Sequence, residues 1–542
     1  MSHPRPPAEL RLDRRALFRG ALGATGVATL GTLAACSTSD GTATTGTAGG
    51  VVAPDSAAVA AAERARRVPG RANVTSHLTV RPATVDLGGR TVSTWAYGET
   101  VPGPLIRATA GDLLDIAVDN QLPSDTSVHW HGIALRNDMD GVPGITQDPI
   151  AAGDTFRYTF TAPDPGTYFF HPHTGVQLDR GLYGVLVLDD PREPGGYDDE
   201  WIVVLDDWVD GTGRTPDDVL DELRSTRGRS GGRDGMGGMG GMGGVGGMDM
   251  SGSSSPGTGG MTMGGMTMGG MGERYRSPLL GGAGDVDYPL YLVNGLTPDA
   301  PHVFHGRPGQ RVRLRIVNAG SDTAFRFAVG GHRLTVTHTD GYPVDPETTD
   351  ALVVGMGERF DVTVDLRDGV FPVVAEAEGK GGRAVALVRT GSGAPPPGSV
   401  RVPELRRRVL LGTDLGADGA VALDDRGVDR THDVVLGGSM ASYRWTINGR
   451  SFPDATPLPV RQGERVRLRL VNQTMMFHPV HVHGHTFEIA GTGLRKDTAV
   501  IRPMQRVDVD LDADNPGQWA LHCHNVYHAE SGMMTTLSYR TI

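Results

Sequence analysis

The sequence predicts an all-β chain built from three copies of one β-sandwich. Three observations carry that expectation: a repeated strand, the signposts around it, and a turn-rich composition. Gly111-Asp-Leu-Leu-Asp-Ile-Ala-Val-Asp-Asn120 recurs as Gly309-Gln-Arg-Val-Arg-Leu-Arg-Ile-Val-Asn318 and as Gly463-Glu-Arg-Val-Arg-Leu-Arg-Leu-Val-Asn472. In each copy a glycine precedes an alternating run and an asparagine closes it nine residues later. Alternation with period two marks a half-buried strand, and self-similarity at a long spacing marks a duplicated unit. Tyr97-Gly98, Asn294-Gly295 and Asn448-Gly449 precede the three strands by similar distances, and strands beginning near Thr155, Arg359 and Arg506 follow them. Seventy-nine glycines and 36 prolines in 542 residues favour turns and short strands over long helices.

The chain divides in order as follows. Residues 1–36 read as a targeting segment. Arg14-Arg15-Ala-Leu-Phe18-Arg19 is a twin-arginine signal, an apolar run follows from Gly20 to Ala35, and Leu33-Ala34-Ala35-Cys36 resembles a lipobox. The apolar run is shorter than the roughly 20 residues a membrane-spanning helix needs. Export and lipidation of Cys36 are therefore expected, leaving a cell-membrane lipid-anchored, extracytoplasmic protein whose only membrane contact is that lipid. Residues 37–72 read as a tether, with one short Ala-rich helix near 55–68. The first sandwich is expected over 73–192, the second over 285–402 and the third over 403–542. Residues 193–284 read as a linker. Within it, Thr215 as N-cap and Pro216 at the first helical position mark a short helix over 216–226. Residues 228–272 are rich in Met and Gly, and ten of the 19 methionines fall between Met236 and Met271. Gly-rich sequence is normally plain linker, but thioethers are soft donors that select Cu(I).

Charge and cysteine count narrow the function. A formal net charge of −12 argues against a nucleic-acid partner, and two cysteines make no disulfide framework. The second cysteine sits in His522-Cys523-His524, with His528 and Met533 following. A thiolate, an imidazole and a weak thioether are the donors of a blue-copper site. On a strand, alternation sends Cys523 to one face and both flanking histidines to the other. The repeat then assigns further donors. Counting from the closing asparagine, positions +9 and +11 are His129 and His131 in the first copy, His481 and His483 in the third, and Phe327 and Val329 in the second. Pro165-Gly166 leads by five residues to His171-Pro-His173, as Pro516-Gly517 leads to His522-Cys-His524. Copies one and three thus supply eight histidines at matched positions, which suit three copper ions at a shared interface. Only the third copy adds His478, Cys523, His528 and Met533.

Over about residues 73–542 the chain resembles the three-domain multicopper oxidases. The resemblance rests on His129-Trp-His131-Gly, His171-Pro-His173, His478-Pro-Val-His481-Val-His483 and the segment around Cys523. It implies three cupredoxin-like Greek-key sandwiches and four coppers per chain: one type 1, one type 2 and two type 3. It implies that His478, Cys523 and His528 hold type 1 copper, with Met533 axial, and that His129 and His481 hold type 2. His131, His171 and His524 would hold one type 3 copper, and His173, His483 and His522 the other. It implies one-electron oxidation of a donor coupled to reduction of O2 to water, in a chain that is a monomer. Asp140 matches the family's acidic proton donor beside the cluster. Glu530 is a second candidate for proton supply, although relatives carry their glutamate where this chain has Ala529. The axial methionine implies a lower type 1 potential than Phe or Leu would give.

The donor is expected to be Cu(I), in the service of copper tolerance. The Met-rich segment and Met475-Met476 just before His478 motivate that reading, with Met475 and Met476 docking the ion. The alternatives are a laccase-like oxidase of phenols or aryl amines, which needs an open hollow over the His478 and His528 edge, and a non-catalytic copper-sequestering protein.

Overall fold

The computed structural model describes residues 50–193, 195–228 and 276–541. The signal and lipobox expected in residues 1–36, Cys36 included, lie outside them. So does the Met/Gly-rich segment beyond residue 228.

Six sheets form three sandwiches among the described residues. The repeated strand holds the same place in each. Leu113–Asn120, Arg311–Asn318 and Arg465–Asn472 each pair in parallel with one strand (Asn73–Asp86, Asp199–Trp208, Arg430–Ser439) and antiparallel with another (Thr155–Thr161, Arg359–Asp365, Arg506–Asp512). The repeat's end residues have identical jobs. Gly111, Gly309 and Gly463 turn the chain into the strand at φ of 91°, 79° and 89°, a region where a side chain is strained. The closing asparagine staples the loop that follows. Asn120 Nδ2 donates to Ser124 O and Ile150 O, Asn318 Nδ2 to Thr323 O and Val354 O, and Asn472 Nδ2 to Met476 O and Ile501 O. Each Oδ1 accepts the backbone N–H two residues on, at Leu122, Gly320 and Thr474. These amides are buried, so losing a partner would cost about 1–3 kcal/mol each.

The second sheet of each sandwich carries the chemistry. In the first sandwich His129–His131 pairs with Gly166–His171, setting His129 opposite His171. In the third, His478–Val482 pairs with Gln518–Cys523, setting His481 opposite His522 and Val480 opposite Cys523. In the second, the matching strands set Phe327 opposite Ala375, and that interior is apolar. The folds are cupredoxin-like, and the all-β expectation holds.

Three expected boundaries shift. Asp199–Trp208, assigned to the linker, is an inner strand of the second sandwich, between Leu290–Val293 and Arg311–Asn318. Val409–Leu410, assigned to the third sandwich, pairs with Ala351–Val354 of the second, so the third begins at Arg430. Residues 50–72, assigned to the tether, are fastened to the body. Val51 bridges Arg540, and the buried Glu63 of helix α1 (Ala57–Arg66) accepts from Thr161 N and Oγ1 at 3.0 and 2.8 Å. Helix α2 (Pro216–Gly228) starts where the sequence places it. Thr215 and Asp218 cap each other there, Thr215 N donating to Asp218 Oδ2 and Asp218 N to Thr215 Oγ1.

Candidate metal centre

Cys523 ends its strand with its thiol turned away from the two histidines beside it. On its own side it meets His478 from the neighbouring strand and His528 from helix α3 (Val526–Glu530). Cys523 Sγ lies 3.6 Å from His478 Nδ1 and 3.7 Å from His528 Nδ1, and the two nitrogens are 3.2 Å apart. Asn525 caps α3, accepting from Tyr527 N and His528 N, and so fixes His528. Met533 is fully buried, and its backbone is pinned to His528 O and Cys523 N. Burial pushes the Cys523 thiol far above its ordinary range. A thiolate here needs a bound cation, and three soft or borderline donors with a buried thioether suit copper.

The opposite faces of the strands converge between the first and third sandwiches. His129, His131 and His481 form one donor triplet, His131, His171 and His524 a second, and His173, His483 and His522 a third. His483 Nε2 and His522 Nε2 are 3.0 Å apart, and His173 Nε2 and His522 Nε2 3.3 Å. Nitrogens so close suit two donors to one ion. The other ring nitrogens fix the tautomers. His129 Nδ1 donates to Asp140 O, His481 Nδ1 to Asp497 O, His171 Nδ1 to Pro172 O and His522 Nδ1 to Cys523 O. His131 differs, because its Nε2 is engaged by Thr498 Oγ1 and Asp497. The nitrogens left over, His129 Nε2, His481 Nε2 and His131 Nδ1, are buried with no partner. Orphaned buried nitrogens are costly, and here they are the donor atoms a metal would satisfy. Burial, then neighbouring imidazoles, hold His131, His171, His173, His483 and His524 well below the ordinary range, and His522 is pushed down to about 3. These six rings are thereby held neutral and ready to ligate.

Family profiles described as multicopper oxidase match residues 79–193, 272–393 and 429–541. The chain is 49% identical over 533 residues to multicopper oxidase MmcO of Mycobacterium tuberculosis, covering 97% of each. The chain belongs to the multicopper oxidases. This oxidase is also 28% identical to a copper resistance protein A homolog of Pseudomonas syringae, over 84% of the chain and 90% of the relative. The solved laccase of Botrytis aclada is similar at 26% identity and a TM-score of 0.67, covering 87% of this chain and 88% of that one. Copper is the family's cofactor, in type 1, type 2 and type 3 sites, and the donor sets fit it.

The oxidase brings the eleven expected histidine and cysteine donors into these two groups, and Met533 is buried on the turn that follows His528. Asp140 joins them: its Oδ2 accepts from His483 Nδ1 at 2.9 Å, while its buried Oδ1 carries no hydrogen bond and lies 3.2 Å from His129 Nδ1. Glu530 lines a cavity of about 20 Å³ with His171, His173, His522 and His524. The two docking methionines separate. Met475 is 72% exposed, but Met476 is 8% exposed and packs in the hydrophobic core. Met476 is therefore a core residue, because adjacent positions of this loop face opposite ways.

Four participants carry no sequence signal. Asp285 Oδ2 meets His528 Nε2 at 3.0 Å, and Thr474 Oγ1 meets His478 Nε2 at 2.7 Å. Asp497 touches both His131 and His481, at 3.3 and 3.5 Å. Burial opposes its charge, but Arg359 outweighs burial and holds the carboxyl well below the ordinary range. Met504, 70% exposed, sits on a loop held to the Met475 loop by Asn472 Nδ2 donating to Arg502 O and Asn472 N to Gln505 O.

Proposed function

We propose that the oxidase takes electrons from Cu(I) outside the cytoplasm and serves copper tolerance. The observation that carries this is the closure of the mononuclear site. His478 and His528 are fully buried, and their outer nitrogens are capped by Thr474 and by the carboxylate of Asp285. A phenol oxidase needs a hollow where an aromatic ring reaches those edges. A carboxylate at the edge, with exposed thioethers at Met475 and Met504 on adjoining loops, suits a soft cation instead. The described residues flanking the Met/Gly-rich segment are anchored on the third sandwich. On one side Arg224 Nη2 donates to Glu530 O at 2.8 Å. On the other, Leu280 packs with Phe477, and Gly282 approaches Met476. The similarity to a protein named for copper resistance supports the same reading.

The ligand roles we assign are those the sequence suggests. His478, Cys523, His528 and Met533 hold type 1 copper. His129 and His481 hold type 2. His131, His171 and His524 hold one type 3 copper, and His173, His483 and His522 the other. When bound, copper supplies one-electron oxidation of the donor and reduction of O2 to water. The protein contributes the link between the two groups: Cys523 joins His522 and His524 by peptide bonds, and its carbonyl accepts from His522 Nδ1 at 2.9 Å. It also contributes protons. Asp140 sets its Oδ1, which carries no hydrogen bond, beside the cluster as the relay atom, and Glu530 lines the cavity on the type 3 side. Burial raises the Glu530 carboxyl above its ordinary range, the direction that suits a group carrying protons. Because one chain provides every donor, we assign the working unit as a monomer.

We also propose export by the twin-arginine route and lipid anchoring at Cys36; the mass of the mature N-terminus, with and without a Cys36→Ser change, tests both. The central test is oxygen uptake by the copper-loaded protein with Cu(I) and then a methoxyphenol as donor, with residues 228–272 present and deleted. Strong Cu(I)-driven uptake that falls on deletion is expected. Strong phenol turnover with little use of Cu(I) would leave a laccase, and full copper loading with neither activity would leave a sequestering protein.

A further inference from the structure

The second sandwich supplies no copper donor, yet it reaches into the cluster. Arg359 opens the strand Arg359–Asp365 and is fully buried. Its guanidinium forks onto Asp497 of the third sandwich, Nη1 to Oδ1 at 2.7 Å and Nη2 to Oδ2 at 2.6 Å. Two further donors go to Thr167 O of the first sandwich at 3.1 Å and to Gly357 O at 3.0 Å. One side chain therefore ties all three sandwiches at one point. The fork fits only a planar guanidinium.

Asp497, held this way, orients two of the donors together with Thr498, whose Oγ1 donates to Asp497 Oδ1 at 2.8 Å and lies 3.2 Å from His131 Nε2 and 3.1 Å from His481 Nδ1. Asp497 Oδ1 lies 3.3 Å from His131 Nε2 and 3.5 Å from His481 Nδ1, and the Asp497 backbone carbonyl accepts from His481 Nδ1 at 3.0 Å. The two rings stack at 3.8 Å and 13°. Their opposite nitrogens, His131 Nδ1 and His481 Nε2, are the unpartnered ones. The packing leaves no slack. A Cβ on Gly132 would fall 2.4 Å from Arg359 Nη2 and 2.5 Å from Asp497 Oδ2, and one on Gly357 would fall 2.9 Å from the His524 ring and 3.0 Å from His131.

We propose that Arg359 is a positioning residue of the trinuclear site: through Asp497 it sets the tautomer and angle of His131 and His481, so that the copper-free domain governs retention of the ions these two rings hold, type 3 at His131 and type 2 at His481. The inference rests on the ligand assignment proposed above. Arg359→Lys keeps the charge but not the fork, and Arg359→Met removes both. Each full-length variant is loaded with copper and assayed for copper per chain, for the visible absorption of the cysteine-bound type 1 copper, and for the type 2 EPR signal. Second contacts of this kind typically change metal affinity by about 10- to 100-fold. The expected result is unchanged type 1 absorption, type 2 retention weakened by about that factor in Arg359→Met, and a displaced type 2 EPR spectrum in Arg359→Lys. Should Arg359→Met not fold, Arg359→Lys decides alone. Wild-type type 2 occupancy and line shape in Arg359→Lys would overturn the inference, as would equal loss of type 1 and type 2 copper there. A wild-type chain that loads copper without any type 2 signal would overturn the ligand assignment, and this inference with it.

Discussion

Replacing Asp285 with Asn should raise the type 1 potential by a calculable amount. Asp285 Oδ2 accepts from His528 Nε2 at 3.0 Å, with both side chains almost entirely buried. The other nitrogen of His528 faces Cys523 and His478. A carboxylate on the far side of a ligand ring favours the more positive, oxidised metal. Asn keeps an acceptor for His528 and for the Tyr443 hydroxyl, which donates to Asp285 at 3.1 Å, so geometry is preserved while charge is lost. Hydrogen bonds to charged groups are worth about 1.5–3 kcal/mol and neutral ones about 0.5–1.5 kcal/mol, a difference of roughly 1–1.5 kcal/mol. For a one-electron couple, 59 mV corresponds to about 1.4 kcal/mol, so the expected rise is about 40–65 mV. The assay is redox titration of the visible band, paired with oxygen uptake on Cu(I) and on a methoxyphenol. Uptake on Cu(I) should show a raised KM, because the anionic edge is gone, while the phenol rate should hold or increase. An unchanged or lowered potential would refute the reasoning. So would parallel losses on both donors with full copper content.

Asp140→Asn should lower kcat by about 10²–10⁴-fold, the usual worth of a positioned proton donor, with copper content and the type 1 band unchanged. Replacing Met475 and Met504 together with Ser should raise the KM for Cu(I) and leave phenol oxidation alone, whereas Met476→Ser should instead lower thermal stability, because that side chain is core. His485 tests acid stability in the metal-free protein. Its ring is buried between His483 O and the Tyr539 hydroxyl, and burial pushes it down from 6.5 to about 4. The folded state thus binds the proton less well than the unfolded state. Its contribution is complete above pH 6.5 and is lost as pH falls towards 4. That loss is on the order of 3 kcal/mol. Denaturant midpoints of His485→Gln should be flatter across this window, and an unaltered slope would exclude the assignment.

What the sequence made legible was what is written locally or repeated. The glycine that turns into each repeated strand and the asparagine that closes it act within a few dozen residues, so their spacing survives in all three copies. The histidine pairs were legible because the second copy, with Phe327 and Val329 in their place, served as an internal control. The residues that went unseen act across the fold. Asp199–Trp208 could not be placed, because its partner strand Arg311–Asn318 lies more than a hundred residues on, beyond the Met/Gly-rich segment. Asp285 and Asp497 lie in stretches without histidine or cysteine, and only tertiary folding carries them to the ligands. That Met475 is exposed and Met476 buried went unread, because a loop has no period from which to read facing.

The buried charges around Arg359 argue for what the second sandwich does. Arg359, Lys496, Asp340, Glu358 and Asp497 are all essentially inaccessible. Lys496 Nζ lies 3.0 Å from Asp340 and 3.1 Å from Glu358, and Asp340 also accepts from the backbone N–H groups of Arg359, Asp497 and Thr498. Burying ions in this number is rarely the most stabilising choice; apolar residues of equal volume often do as well or better. Stability alone therefore does not explain the network. Orientation does. A salt bridge with a planar fork fixes angle as well as distance, and the carboxylate so fixed stands against two cluster histidines from different sandwiches. An apolar contact could hold the sandwiches together but could not choose which nitrogen of His131 faces the metal. The network's cost makes sense if that choice is what it provides, and the Arg359 variants separate the two accounts. A network kept for stability would fail evenly across both copper groups, whereas one kept for orientation fails at the trinuclear group, type 2 included, and spares type 1.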